Sequence, residues 1–364
     1  MRSDRTQYCK SLSASGEWRE HFIQGGEMDW PEPIDSRNAV RKAGSRIKAD
    51  AATASDIDVL NRWRAAHGYI INTFQATLRT RTRFTRIPVA QRLKRASTIV
   101  DKLKQGRALD LSSMHDIAGI RIVFPKIEEM IAFRGQSHQS RAKHVLVNDL
   151  NKYDYLEQPK SSGYRGIHDV YRYVAGTESG AKWNGLLIEI QYRTLIQHAW
   201  ATAVEMSDAM MKNRVKFSQG TPDSERFFQI CSELLARTYE NSTSCFPGAS
   251  INELLEEWHT IEERSHIFSQ LKSIYEQGSA ENLQGFVLLA IKTDGSLQVF
   301  RQKNYRDAVT NLLQIESNHP EWDVVLASGD KDDSLRSAFR NYFRNSREFV
   351  GLMENAIAKY GLYM

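Results

Sequence analysis

The segment Leu186-Leu187-Ile188-Glu189-Ile190-Gln191-Tyr192-Arg193 reads as one β-strand. Side chains alternate along a strand, so Ile188, Ile190 and Tyr192 share one face, and Glu189, Gln191 and Arg193 share the other. Polar groups on an otherwise apolar strand are costly to bury unless they line a wet site or find partners. An exposed sheet face with a Glu–Arg pair is the plainer alternative, so this strand alone leaves both readings open.

Other elements assemble around it. The run 117–124, Ile-Ala-Gly-Ile-Arg-Ile-Val-Phe, is β-branched and apolar and predicts a second strand, and 170–174 predicts a third. Helical spacing covers 38–48 and 55–79. A basic helix is expected at 92–102, because Leu93, Ala96, Val100 and Leu103 fall three and four apart on one face. A helix then a loop are expected over 127–148. A long helix begins near Thr194, and further helices cover 224–237 and 251–275. Beyond residue 278 the pattern changes. Residues 286–291 and 297–300 flank Asp294-Gly295, which supplies the positive φ of a tight hairpin turn. A helix at 305–315, a strand at 323–327 and a helix at 334–343 complete a ββαβα pattern. The fold class is α/β: a mixed β-sheet flanked by helices, then a small α+β module.

Composition narrows the function. The chain has 364 residues, 41% hydrophobic and 26% charged, and a net charge of +5. No run approaches the roughly 18 apolar residues of a membrane span. The start, Met1-Arg2-Ser3-Asp4, leads into polar sequence without a signal core, so a cytoplasmic location and no membrane partner are expected. Cys9, Cys231 and Cys245 are too far apart for zinc spacing or a disulfide framework, so no zinc is expected. Lys and Arg gather in the first half, which suits an anionic ligand, although a solvated surface explains them equally well.

Three further motifs carry chemistry. Met114-His115-Asp116 places a carboxylate at the entrance to the 117–124 strand, suited to Mg2+, a hard cation that takes oxygen ligands; a lone turn-capping Asp is the plainer role. The loop Lys160-Ser161-Ser162-Gly163-Tyr164-Arg165-Gly166-Ile167-His168 offers cations to phosphate and an aromatic face to a base. The stretch Arg92-Leu93-Lys94-Arg95-Ala96-Ser97, continuing to Lys102, offers guanidinium groups that clamp phosphate or stack on purines.

In this order, the basic segment, DIAGIRIVF, KSSGYRGIH and IEIQYRT followed by QHAWA resemble the RelA/SpoT-type alarmone synthetase domain, over about residues 36–240. The resemblance implies a nucleotidyltransferase-like fold and a Mg2+-dependent pyrophosphokinase with ATP as donor, releasing AMP. It implies that Arg92 and Arg121 sandwich the adenine and that Lys94, Ser97 and Lys102 hold the ATP phosphates. Asp116 is implied as a Mg2+ ligand. Glu189 is implied to activate the acceptor hydroxyl and to touch the metal. Tyr164 would stack on the acceptor base, with Lys160 and His168 beside it and Gln191 and Arg193 on the same strand face as Glu189. The pairs His115-Asp116 and His168-Asp169 both fall inside synthetase motifs, so synthesis without a hydrolase region is expected.

Two acceptors compete. The cluster Arg41, Lys42, Arg46 and Lys48 with the arginines of 79–86 favours the 3′ CCA end of tRNA, with a block on translation. GDP or GTP is the alternative, giving (p)ppGpp. A binding module that keeps the fold without catalysis is a third reading. The C-terminal part resembles that of CapRel-like fused toxin–antitoxin proteins, in which a zinc-finger-like module without zinc restrains the synthetase until a phage protein binds. On that reading the chain divides into a lead-in at 1–35, a toxin domain at 36–245, a linking helix at 246–278 and an antitoxin module at 279–364. Tyr360 and Tyr363 would then be autoinhibitory, closing over the ATP site; anchoring of a terminal helix is their simpler role.

Overall fold

In the computed structural model the described residues are 9–12, 18–21, 30–85, 87–94, 96–215, 222–272, 285–292, 297–303, 311, 314–315, 318–319, 322–329 and 333–361. The chain forms two compact units. One comprises Met1–Phe124, Ile131–Tyr153 and Ile167–Tyr192; the other comprises Pro125–Met130, Asp154–Gly166 and Arg193–Met364.

The first unit opens with β1 (Cys9–Leu12) paired antiparallel to β2 (Trp18–His21), inside the stretch expected as an irregular lead-in. Helix α1 (Arg37–Lys48) starts where Ser36 accepts the Ala39 N–H. Helix α2 (Ala54–Thr82) starts with a capping box between Thr53 and Asp56. Such caps satisfy amides that have no partner within the helix. Gly44 of α1 has no room for a side chain, since a Cβ there would lie 2.6 Å from Leu111 Cβ.

The sheet of this unit is mixed and five-stranded, in the order β3-β4-β7-β6-β5, with helices flanking it. Its strands are β3 (Val89–Leu93), β4 (Ala118–Phe124), β5 (Val145–Leu146), β6 (Ile167–Arg172) and β7 (Leu187–Thr194). Between them lie α3 (Ala96–Lys104) and α4 (Ile127–His138). The basic segment therefore differs from expectation. Residues 92 and 93 belong to an edge strand paired with Gly119 and Ala118, and the helix begins only at Ala96. Its buried stripe is Ile99 and Leu103. Pairing with β4 outweighs the helical spacing that Leu93 shares with this stripe.

The second unit holds α5 (Leu195–Val215), α6 (Pro222–Tyr239), α7 (Ile251–Ser265) and α8 (Asp333–Gly361), plus a three-stranded antiparallel sheet. Its strands are β8 (Gly285–Ile291), β9 (Leu297–Gln302) and β10 (Asp323–Gly329), in the order β10-β8-β9. Both expected strands of the hairpin are present; its turn, 293–296, lies outside the described residues, as does most of the expected helix at 305–315. The expected helix 251–275 is interrupted at His266, which turns left-handed at φ 53° and caps Glu262 O with its N–H; helical residues resume at 267–272, and 273–275 lie outside the described residues. The expected short helix at 334–343 is the start of the 29-residue α8. Trp200, Phe227, Phe228, Leu254, Trp258, Phe349 and Met353 form the apolar core of the helices.

Candidate active site

Register explains how the first unit gathers its polar residues. On β7, Glu189 and Gln191 point to one face, and His168 of β6 sits directly opposite Gln191. On the β3–β4 ladder Arg92 pairs with Gly119, two residues from Arg121, so positions 92 and 121 share a face. Arg121 Nε donates to Gln191 Oε1 at 3.5 Å. Gln191 Nε2 donates to Glu189 Oε2 at 2.6 Å. His168 Nδ1 lies 3.1 Å from Glu189 Oε1. The polar face of β7 is therefore buried and partnered, with Glu189 only 6% exposed.

The loop before β4 supplies the second carboxylate. Lys94 Nζ and Lys102 Nζ both donate to Asp116 Oδ2, each at 2.7 Å. Burial alone would push the Asp116 carboxyl up, but the hydrogen bonds and charges of Lys102 and Lys94 outweigh it and hold the group below the ordinary carboxylate range. The same contest runs at Glu189. Burial opposes its charge, and the charge of His168, hydrogen bonds from His168 and Gln191, and the charge of His115 prevail, so its carboxyl lies well below the usual range. His115 joins the two. Its Nε2 is 3.7 Å from Glu189 Oε1, and its ring stacks on Tyr153 at 5.7 Å. Burial pushes the His115 imidazole down, while the charges of Glu189 and Asp116 pull it up.

The donor set suits Mg2+. Asp116 Oδ1 is buried without a hydrogen-bond partner among the described residues, an orphaned acceptor of the kind a cation satisfies. Glu189 accepts one hydrogen bond on each oxygen and keeps lone pairs on both. Among the described residues no three His, Cys, Asp or Glu side chains form a cage for a metal. Mg2+ held by one or two carboxylates, with water and substrate phosphates completing the shell, would not require such a cage.

The remaining expected residues divide as follows. Arg92 and Ser97 have described backbones in β3 and α3, but their side chains lie outside the described residues. Lys160, Tyr164 and Arg193 lie in the second unit. There Arg193 Nε donates to Tyr164 Oη at 3.1 Å, and Lys160 Nζ lies 4.3 Å from the Tyr155 ring centroid and 5.2 Å from that of Tyr164. A base stacking on Tyr164 joins or displaces cations already at the ring. Tyr360, near the end of α8, is half-buried against the helical core, with Lys359 Nζ 5.2 Å from its ring centroid. Tyr363 lies outside the described residues.

Two features were missed by the sequence reading. His115 had no assigned role, although it sits one residue before Asp116. Asp169, fully buried on the opposite face from His168, takes Arg134 Nε at 3.1 and 3.2 Å, Arg134 Nη2 at 2.8 Å and His138 Nε2 at 2.7 Å. That ion-pair cluster fixes β6 from behind the site.

Comparison with known proteins places the sequence among relatives. Residues 91–214 match the family described as "Region found in RelA / SpoT proteins". The GTP pyrophosphokinase YjbM of Bacillus subtilis (strain 168) is 31% identical over 155 residues, 42% of this chain and 68% of that protein. The GTP pyrophosphokinase YwaC of the same organism is 28% identical over 116 residues, 30% of this chain and 52% of that protein. Among solved structures, the small alarmone synthetase 1 of Bacillus subtilis bound to its product pppGpp aligns at 27% identity over 47% of this chain and 88% of that one, with a TM-score of 0.39.

These relatives correct the expected acceptor. YjbM and YwaC are GTP pyrophosphokinases, which overturns transfer to the 3′ CCA end of tRNA and, with it, release by a phage protein. The basic cluster behind that expectation is partly engaged in contacts within the chain. Arg46 is ion-paired with Asp56, Arg41 donates to Asn38 at 2.8 Å, and Arg81 donates to Ser137 at 2.9 Å. No helix among the described residues is long and apolar enough to cross a membrane. With the motifs in order and a relative 31% identical matched over two thirds of its length, the chain belongs to the RelA/SpoT family and is a pyrophosphokinase of the alarmone-synthetase kind.

Proposed function

We propose that the chain transfers the terminal diphosphate of ATP to a ribose hydroxyl of GDP or GTP, making (p)ppGpp in the cytoplasm. The observation that carries the reading is the buried, ionised Glu189, hydrogen-bonded to His168 and Gln191 on the sheet face that also bears Arg121. The names of YjbM and YwaC support guanine nucleotide as acceptor.

A ribose hydroxyl is a poor nucleophile at neutral pH. Glu189 accepts its hydrogen bond and takes its proton as oxygen bonds to the β-phosphorus of ATP; the bond from that phosphorus to the bridging oxygen breaks and AMP leaves. A carboxylate held far below neutrality is a weak free base, so its main contribution is orientation, with the proton passing late. Phosphoryl-type transfer otherwise demands alignment and charge neutralisation. On this reading Lys94 and Lys102 turn in part from Asp116 to phosphate oxygens, and Arg92 and Arg121 clasp the adenine. Asp116 and Glu189 would hold Mg2+, which would supply further neutralisation of phosphate charge. Tyr164 and Lys160 are the proposed acceptor contacts.

We also propose that the C-terminal residues Tyr360 and Tyr363 restrain this activity. The half-burial of Tyr360 is equally that of a helix anchor, so truncation separates the roles.

The primary test is incubation with ATP labelled at its β and γ phosphates, with Mg2+ and GDP or GTP. Label in a guanine tetra- or pentaphosphate, with AMP in equal amount, is expected. Label in neither nucleotide would sink the reading.

A further inference from the structure

The acceptor loop, residues 154–166, is bolted to helices α5 and α6 through its backbone and one buried ion pair, all within the second unit. Ser232 Oγ donates to Gly163 O at 2.6 Å. Gly163 has φ +91°, and a Cβ there would lie 3.0 Å from Trp200 Cζ2 and 3.1 Å from Ser232 Cβ. The loop closes on itself through Gly163 N–H to Lys160 O at 2.8 Å and Lys160 N–H to Tyr164 O at 3.1 Å. Next to Tyr164, Arg165 is 4% exposed and ion-paired through Nη1 with Glu240. Glu240, just past the end of α6, also accepts from Thr194 Oγ1 at 2.5 Å and from Gln197 Nε2 at 3.1 Å.

This arrangement is expensive as mere stabilisation. Burying a guanidinium that cannot lose its proton brings a large desolvation cost, and a buried pair is often no better than apolar side chains of the same size. Arg165 Nε and Nη2 have no partner among the described residues, and Arg165 lines a small cavity with Gly163, Gln197 and Trp200. The pair yields directional restraint: Arg165 cannot leave Glu240 without stranding two opposite buried charges. Tyr164, one residue away, inherits that restraint.

We infer that Glu240, with Ser232, is a positioning residue of the acceptor site, acting through Arg165 and Gly163 to fix the pose of Tyr164. Neither residue touches the nucleotide. The inference rests on the proposed acceptor role of Tyr164 for its catalytic consequence, but the restraint itself is a property of the loop.

The test uses the full chain and three variants: Ser232→Ala, Glu240→Gln, and the double variant Arg165→Met with Glu240→Met, which removes both charges and so keeps the test open if the single charge loss prevents folding. Hydrogen exchange of the peptide spanning 154–166 is expected to quicken in all three. KM for GDP or GTP is expected to rise about tenfold, the weight of one charge-assisted hydrogen bond, with KM for ATP within about twofold. Unchanged loop exchange in the folded double variant overturns the inference, as does an equal rise in both KM values. If the unaltered protein transfers nothing to guanine nucleotide, the proposed function fails, and loop exchange still decides the restraint.

Discussion

His168 Nδ1 lies 3.1 Å from Glu189 Oε1, the two side chains meeting diagonally across the β6–β7 ladder. This contact keeps a buried carboxylate ionised. Gln191 holds the other oxygen, Oε2, at 2.6 Å, so the carboxylate is fixed from both sides while each oxygen keeps a lone pair.

Glu189→Gln keeps the shape and removes the charge. AMP release in the presence of GDP or GTP is expected to fall by about 10²–10⁴-fold, the usual weight of a positioned acid–base group. Thermal stability is expected to fall as well, because the contacts of His168, Gln191 and His115 that outweigh burial are made to the charge and are weakened with its loss. A loss smaller than about threefold would remove Glu189 from the chemistry.

Asp116→Asn leaves Lys94 and Lys102 without the carboxylate they share. The Mg2+ concentration for half-maximal turnover is expected to rise at least about tenfold, because one anionic ligand is lost. A titration of turnover against Mg2+ that is superimposable on the original would show that the carboxylate serves only the lysines.

Asp169→Asn strips the buried partner from Arg134 and His138. Breaking a buried pair from one side costs about 3–5 kcal/mol. Chemical denaturation should register that loss. Unaltered stability would mean that β6 is held by its ladder alone.

His67 is fully buried, its Nδ1 2.7 Å from Trp63 O, and burial pushes its imidazole down to about 4. Between that value and the unfolded value near 6.5 the unfolded chain binds a proton that the folded chain refuses. Stability therefore falls as pH drops through this window, by about 3 kcal/mol for this one group. Unfolding followed between pH 7 and 4.5 should show the slope, and His67→Gln should flatten it. An equal slope in both proteins would assign the acid sensitivity elsewhere.

Removing residues 360–364 is expected to raise turnover severalfold if they restrain the ATP site. Unchanged turnover with a lower unfolding temperature would make Tyr360 an anchor of α8.

Much of this was legible in the sequence because it is local. The alternation in 186–193 set Glu189 and Gln191 on one face, and the run 117–124 announced β4. Residues 92 and 93 were misread as helix because their strand is defined by a partner, β4, some 25 to 27 residues further along the chain, while the helical spacing that continues into 96–104 is visible within one turn. The lock of Arg134 on Asp169 joins residues 35 apart in sequence, and no short motif encodes it. His115 was in plain view inside its motif, but its value comes from Glu189, which only the β4–β7 neighbourhood brings near. The acceptor was misjudged because a tally of arginines ignores those already spoken for, such as Arg46 on Asp56.

The grip of Ser232 on the Gly163 carbonyl bears on what the smallest working version of this protein can be. Every recognisable motif lies before residue 215, so a designer trimming to the matched region would keep them all. Such a fragment would still discard the hydroxyl and the carboxylate that hold the tyrosine-bearing loop in place. On the proposed role of that loop, the minimal catalyst is longer than its signature.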